Sequence, residues 1–260
     1  MSRNFELLQR MEGQRNGHVP HKGLPDPVWR EAAPLPPAVD EIPIVSSSTP
    51  SRNLSAVAQR EIAKLVQQFV WLGETDNLVV AFTSAEPQES TSLVVAASAD
   101  MLAAITASSV CAVDANVWSP KLHSHFGVAN RSGLTELLTE PKPVAECASR
   151  VLQNLWLISA GETRDQRSLM RSEQMRNRLL ELRQQFRYVL LNAPAVEECV
   201  DSLPLGRLAD WVVLVLEANK TRRDAAQRAK QILETSGARV LGAVLNNCKS
   251  PALETPSTQR

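Results

Sequence analysis

Six short apolar runs interleaved with stretches of helical periodicity leave this chain few folds to choose from. The runs begin at Leu78 (LVVAFT), Val110 (VCAVDA), Asn154 (NLWLISA), Arg187 (RYVLLNA), Trp211 (WVVLVLEA) and Arg239 (RVLGAVLNN). Each has strand length and lacks the polar alternation of a sheet with one wet face. The spacing predicts helices of about 15 residues from Ser55 through EIAKLVQQFVWL, and over Leu93 to Thr106, Gln166 to Gln185 and Arg222 to Thr235. Strands apolar on both sides and alternating with helices imply an α/β fold, a doubly wound, mostly parallel sheet flanked by helices. Ligands are then expected at the carboxyl ends of the strands.

Eight of the 16 prolines fall within the first 50 residues, next to the SSSTPS stretch at 46–51, so neither a helix nor a strand ladder is sustained there. Residues 1–53 read as a disordered, proline-rich N-terminal tether. Phe5, Leu8 and Met11 give its start a short amphipathic helix that needs a partner surface, or else a frayed terminus. The domain is expected over 54–248 and a flexible tail over 249–260.

Lysine plus arginine (28) equals aspartate plus glutamate (28), so no global field gathers nucleic acid. No apolar run is long enough to span a bilayer, and MSRNFELLQR has no signal-like core, which predicts a cytoplasmic protein without a transmembrane segment of its own. Cys111, Cys147, Cys199 and Cys248 stand far apart with no CxxC pair, the pattern of reduced core thiols.

The loop after the first run reads Thr83-Ser84-Ala85-Glu86-Pro87-Gln88-Glu89-Ser90-Thr91-Ser92 and leads into a helix. Val113-Asp114-Ala115-Asn116 follows the second run, then Pro120, His123, Phe126, Gly133, Leu134 and Leu138. Further on come Asn154-Leu155, Ala160-Gly161, Tyr188 to Pro194, Asp201, Ala209-Asp210, Thr221-Arg222-Arg223 and Gly242 to Asn246. In that order and approximate spacing, over about 190 residues, the chain resembles the bacterial tyrosine kinases of capsular and exopolysaccharide synthesis (BY-kinases), relatives of the partition and septum-site ATPases. The resemblance implies a P-loop NTPase-like fold.

The departures from the family pattern T-S-A-x-P-G-E-G-K-S matter as much as the matches. A phosphate loop works through glycines that let backbone N–H groups converge and a lysine that neutralises phosphate. Here Gln88 and Ser90 occupy the glycine positions and Thr91 the lysine position, with no glycine between Gly73 and Gly127. Asp114 is kept, whereas Asn116 and Asn192 stand in place of two carboxylates on the magnesium side, and an amide binds Mg²⁺ weakly. The resemblance marks Gln88, Glu89, Ser90, Thr91, Ser92, Asn116, Asn192 and Asn246 as degenerate nucleotide-site positions. Asp114 is the catalytic remnant, and Ser92 with Asp114 forms a metal pair only if magnesium binds. No cofactor is expected, Mg-ATP being the exception if the site retains binding.

Ser92 and Thr91 have a plainer reading as helix N-caps. His123 and His125 form an H-x-H pair without a third ligand nearby in sequence. Arg164, Arg167, Arg171, Arg176, Arg178, Arg183 and Arg187 read as a solvated face, or as a surface that docks an acidic tail or anionic headgroups. Glu61, Lys64 and Gln67 fall where the family's ring-forming E-x-x-R-x-x-R would stand. The 249–260 tail contains no tyrosine, unlike the family's tyrosine-rich tail, and the single tyrosine, Tyr188, sits inside a strand run.

The resemblance, taken with these departures, implies a pseudokinase that regulates or scaffolds polysaccharide assembly. Its expected partners are the cytosolic part of a membrane chain-length or export protein and an active kinase paralogue, which would hold it at the inner face of the membrane. The alternative is an active ATP-binding kinase or partition-type ATPase with a divergent site, completed by a cation supplied in trans. A dinucleotide enzyme is disfavoured because no G-x-G-x-x-G follows any strand run.

Overall fold

The computed structural model describes residues 50–73, 76–162, 173–197 and 202–247. All of them belong to one compact unit. Seven strands form one sheet in the order β3-β4-β2-β5-β1-β6-β7. They are β1 (Leu78–Ser84), β2 (Val110–Asp114), β3 (Ala148–Leu152), β4 (Leu155–Ile158), β5 (Tyr188–Asn192), β6 (Trp211–Glu217) and β7 (Val240–Asn246). Every neighbouring pair is parallel except β3 with β4. All residues of β1, β2 and β5 are buried, which is what unbroken apolar runs covered on two faces require. The β3 edge strand was not legible as a run, because Ser149 and Arg150 interrupt its apolar side chains.

The helices are α1 (Ala56–Leu72), α2 (Ser90–Ile105), α3 (Leu122–His125), α4 (Leu134–Thr139), α5 (Val144–Cys147), α6 (Glu173–Gln185), α7 (Ser202–Leu208) and α8 (Arg223–Thr235). Alternate strand residues divide the core into two layers. Val80, Phe82, Val110 and Leu190 face α1 and α2, whereas Val79, Ala81, Val113 and Leu191 face α4, α6 and α8. The doubly wound arrangement is therefore present. On the first face Phe69 of α1 meets Phe82 of β1 edge to face at 5.9 Å. Ser55 caps α1, its hydroxyl accepting from the Ala58 N–H at 3.3 Å.

A 3-10 turn at Pro50–Asn53 precedes α1, and Asp100, buried in mid-α2, accepts hydrogen bonds from the backbone N–H (3.1 Å) and the hydroxyl of Ser51. The described residues thus begin a few positions ahead of the 54–248 boundary. Residues 1–49 of the tether expected over 1–53, Arg164, Arg167, Arg171, Asp201, Cys199, Cys248 and the expected 249–260 tail lie outside the described residues, as do residues 166–172 of the helix expected from Gln166. Tyr188 is a buried core residue.

Three arginines of the expected solvated face are structural staples instead. Arg178 Nε and Nη2 donate to the carbonyls of Leu137 (2.8 Å) and Glu140 (3.2 Å). Arg183 Nη2 reaches both carboxylate oxygens of Asp210 at 2.8 Å, and Arg187 reaches Asn77 Oδ1 at 3.2 Å. Asp210 in turn accepts from the Val79 N–H at 2.8 Å, tying the start of β6 to β1. Charge density along a helix does not reveal which guanidinium groups bend back onto carbonyls of a neighbouring element.

Candidate functional site

The site expected from sequence lies at the carboxyl ends of β1, β2 and β5, where parallel strands bring their following loops together. Chain after β1 runs through residues 85–89 into α2. Glu89 is the residue before that helix, in αR conformation, and offers no side-chain cap. The capping role expected of Thr91 and Ser92 is not what the structure has, since both lie inside the first turn. Ser92 Oγ instead donates to the Glu89 carbonyl at 2.9 Å and lies 3.0 Å from His125 Nε2. Capping fails for a geometric reason. The helix begins at Ser90, three residues ahead of the Leu93 start inferred from periodicity, so these hydroxyls have nowhere to act as the flanking residue.

Gln88, at a glycine position of the resembled pattern, crosses to β6, where its Nε2 donates to the Val215 carbonyl at 2.8 Å. Chain following β5 lies along the same loop. Val196 N–H donates to the Ser84 carbonyl (2.8 Å), Glu197 N–H to the Ala85 carbonyl (3.1 Å), and the Thr83 hydroxyl to the Pro194 carbonyl (2.6 Å). Arg228 of α8 holds Glu197 at 3.1 Å from outside.

Asp114 is fully buried, and both its oxygens are occupied. Oδ2 accepts from the N–H groups of Leu122 (2.9 Å) and Lys121 (3.1 Å), and Oδ1 from Asn192 Nδ2 (2.8 Å) and the Asn116 N–H (3.3 Å). Burial raises its pKa above the usual carboxylate range, against the pull of those four donors. Asn192 donates toward Asp114 while its own Oδ1 meets no donor among the described residues, and the buried Ser90 hydroxyl oxygen is likewise without a partner among them.

A cavity of about 200 Å³ opens beside these groups. Gln88, Glu89, Thr91, Ser92, Asn116 and Asn192 line it, so six of the eight positions that the resemblance marked in the sequence are brought together. Ser90 and Asp114 are their immediate neighbours in chain or hydrogen bonding and do not line it. Asn246 does not join them. It ends β7 at the sheet edge, where its carbonyl accepts from the Ala218 N–H at 2.9 Å.

Two side chains not singled out as site residues from sequence belong here. Lys121 lines the cavity and pairs with Glu89 at 3.5 Å. It supplies a cation 30 positions after the threonine that stands for the missing lysine. Its sole sequence signal is its place directly after Pro120, in a loop that follows β2 and so opens at the same sheet end. His125, half-buried against Ser92, has its pKa lowered first by burial, then by the nearby charges of His123 and Lys121, with Glu89 opposing. The imidazole is therefore neutral at neutral pH. Among the described residues no group of three or more His, Cys, Asp or Glu side chains is placed to hold a metal.

Comparison with known proteins connects this geometry to a lineage. The chain is 28% identical over 172 residues to tyrosine-protein kinase YwqD of Bacillus subtilis, covering 65% of this chain and 72% of that one. Its relatives are bacterial tyrosine kinases. CapB of Staphylococcus aureus is 28% identical over 136 residues, 52% of this chain and 60% of CapB. The succinoglycan biosynthesis transport protein ExoP of Rhizobium meliloti is 29% identical over 180 residues, 67% of this chain and 23% of ExoP. The chain thus spans less than two thirds of the length of CapB and less than a quarter of ExoP. No family model matches it. Among solved structures, the chimerical protein CapA2B2 superposes with a TM-score of 0.68 at 21% identity, over 74% of this chain and 85% of that one. The kinase domain of the Escherichia coli tyrosine kinase ETK gives 0.66 at 20%, over 74% and 78%. MinD of Aquifex aeolicus gives 0.53 at 19%, over 66% and 70%. These likenesses establish the P-loop NTPase-like fold.

Proposed function

We propose that this chain is a pseudokinase of capsule or exopolysaccharide biosynthesis, a BY-kinase-like regulator or scaffold that does not transfer phosphate. The observation that carries the reading is Asp114. Its four acceptor sites are filled by protein donors and its pKa is raised, so it has no lone pair free for a magnesium-bound water. The loop supports the same reading. Gln88 ties it to β6, its own residues 83–92 include no lysine, and a cavity of about 200 Å³ is smaller than the roughly 300–1,000 Å³ of ordinary small-molecule sites. This residue set does not fit a magnesium-bound triphosphate.

In this reading the chain binds the cytosolic part of a membrane chain-length or export protein, together with an active kinase paralogue, and reaches the inner face of the membrane through them. No helix among the described residues is long and apolar enough to cross a membrane. A second reading, an ATP-binding protein with a divergent site, draws on the convergence of Lys121 and the unpartnered Asn192 Oδ1 on the cavity.

Titration with Mg-ATP by calorimetry, paired with thermal melts, separates the two. A ligand stabilises by RT ln(1 + [L]/Kd), so millimolar Mg-ATP should leave the melting temperature unchanged. A shift of several degrees with a measurable heat establishes the second reading.

A further inference from the structure

Ser92 and His125 make a contact that the nucleotide-site reading leaves unused. Ser92 stands in the first turn of α2, is buried at 4% exposure and lines the cavity at the sheet end. Its Oγ lies 3.0 Å from His125 Nε2, within the reach of a nucleophile and its base. His123 is one of the residues that carry the resemblance and His125 is not, so this partner of Ser92 belongs to the chain's own departures from the pattern. The element that carries it is pinned at both ends. Leu122 and Phe126 are buried, and Asp114 Oδ2 accepts from the N–H groups of Lys121 and Leu122 where α3 begins. The half-buried imidazole is thus presented to Ser92 from a fixed turn.

We infer that Ser92 is the nucleophile and His125 the general base of a hydrolase that acts on short-chain carboxylic esters in this cavity. Three observations set the substrate class. The volume of about 200 Å³ is below that of ordinary small-molecule sites and suits an acyl group of about two to four carbons. The first-turn N–H groups of α2 have no carbonyl one turn behind them, and they suit the oxygen on which negative charge develops. Asn192, 1% exposed, lines the same cavity, and its Oδ1 meets no donor among the described residues. An acceptor buried in that way calls for an O–H from a bound molecule, which the water of the second step supplies.

As the ester carbonyl carbon bonds to Ser92 Oγ, the hydroxyl proton turns from the Glu89 carbonyl, 2.9 Å away, to His125 Nε2. Collapse of the adduct breaks the acyl C–O bond. The imidazolium gives that proton to the departing alkoxide, which leaves as an alcohol. A water then passes one proton to Nε2 and attacks the acyl-serine, and Oγ recovers the proton as the carboxylic acid departs. One ester and one water give one alcohol and one acid. No phosphate enters these steps, so the inference does not rest on the pseudokinase reading.

Intact-mass spectrometry of the full chain treated with an alkyl fluorophosphonate tests it. A single adduct should form on the wild type and map by peptide fragmentation to Ser92. His125→Ala should slow its formation by about 100-fold, with circular dichroism as the folding control, and the mapping on the wild type stands whether or not that variant folds. The wild type should hydrolyse p-nitrophenyl acetate about tenfold faster than p-nitrophenyl octanoate, and that activity should vanish in step with labelling. An unlabelled wild type, an adduct on another residue, labelling indifferent to His125→Ala in a folded variant, a preference for octanoate, or hydrolysis that survives complete labelling would each overturn the inference.

Discussion

Replacing Asp114 in two ways distinguishes a structural acceptor from a catalytic one. In Asp114→Ala four donors lose their acceptor at once: the N–H groups of Asn116, Lys121 and Leu122, and Asn192 Nδ2. The Asn116 N–H and the Asn192 amide, which meet Oδ1, can recover a water, whereas the Lys121 and Leu122 N–H groups both point at Oδ2 of the fully buried carboxylate. Two stranded donors cost about 2–6 kcal/mol together. Asp114→Asn keeps one oxygen for Lys121 and Leu122. Its new amide faces Asn192, which can rotate to present the oxygen that now lacks a donor, so the loss should be about 1–2 kcal/mol. Urea unfolding at pH 7 reads both values, and with a slope of about 2–3 kcal/mol/M the alanine variant should unfold at about 1–2 M lower urea. Millimolar magnesium chloride should change none of the three midpoints. Alanine and asparagine variants of equal stability, or magnesium stabilising the wild type alone, would refute the assignment of Asp114 to structure.

Thr91→Lys alone should leave phosphate release at background, because Gln88, Ser90, Asn116 and Asn192 remain; robust turnover in a malachite-green assay would mean the metal side is intact. Lowering of the His125 pKa from 6.5 means the folded state binds protons less readily than the unfolded one. Stability should therefore fall as pH drops below about 6.5, and His125→Gln should flatten that part of a melting-temperature profile. Deleting residues 1–49 should leave the melting temperature unchanged, while deleting 1–53 removes Ser51 from Asp100 and should lower it by several degrees. Equal melts for the two truncations would show that Asp100 does not need that partner.

Strand-length apolar runs made six of the seven strands and the two-faced cover legible, because burial on both sides demands residues that periodicity detects well. β3 escaped since an edge strand tolerates Ser149 and Arg150, the latter stacking its guanidinium over Trp156 at 5.6 Å. The six cavity-lining positions were legible through spacing after β1, β2 and β5, elements whose ends must meet. Lys121 and His125 were not marked as site residues, since their role depends on how the 115–125 loop folds back across Asp114. Asn246 was carried along by the resemblance, but β7 stands two strands from β1, about 10 Å at ordinary strand spacing.

What unites the site is that internal contacts fill the places where a phosphate loop would keep groups free. A glycine position holds Gln88, whose amide spans to Val215. The carboxylate that survives is saturated by backbone donors. The backbone of the loop itself is bonded by Val196 and Glu197, with Arg228 behind. Each contact stabilises a closed loop, and each would have to break for a triphosphate to enter, so restoring binding requires more than one substitution. A sequence that had merely lost its lysine would retain an open nest and weak anion affinity. Here those places are taken by hydrogen bonds with definite partners, and in the proposed reading the closed sheet end they build is the surface that a scaffold presents to a partner.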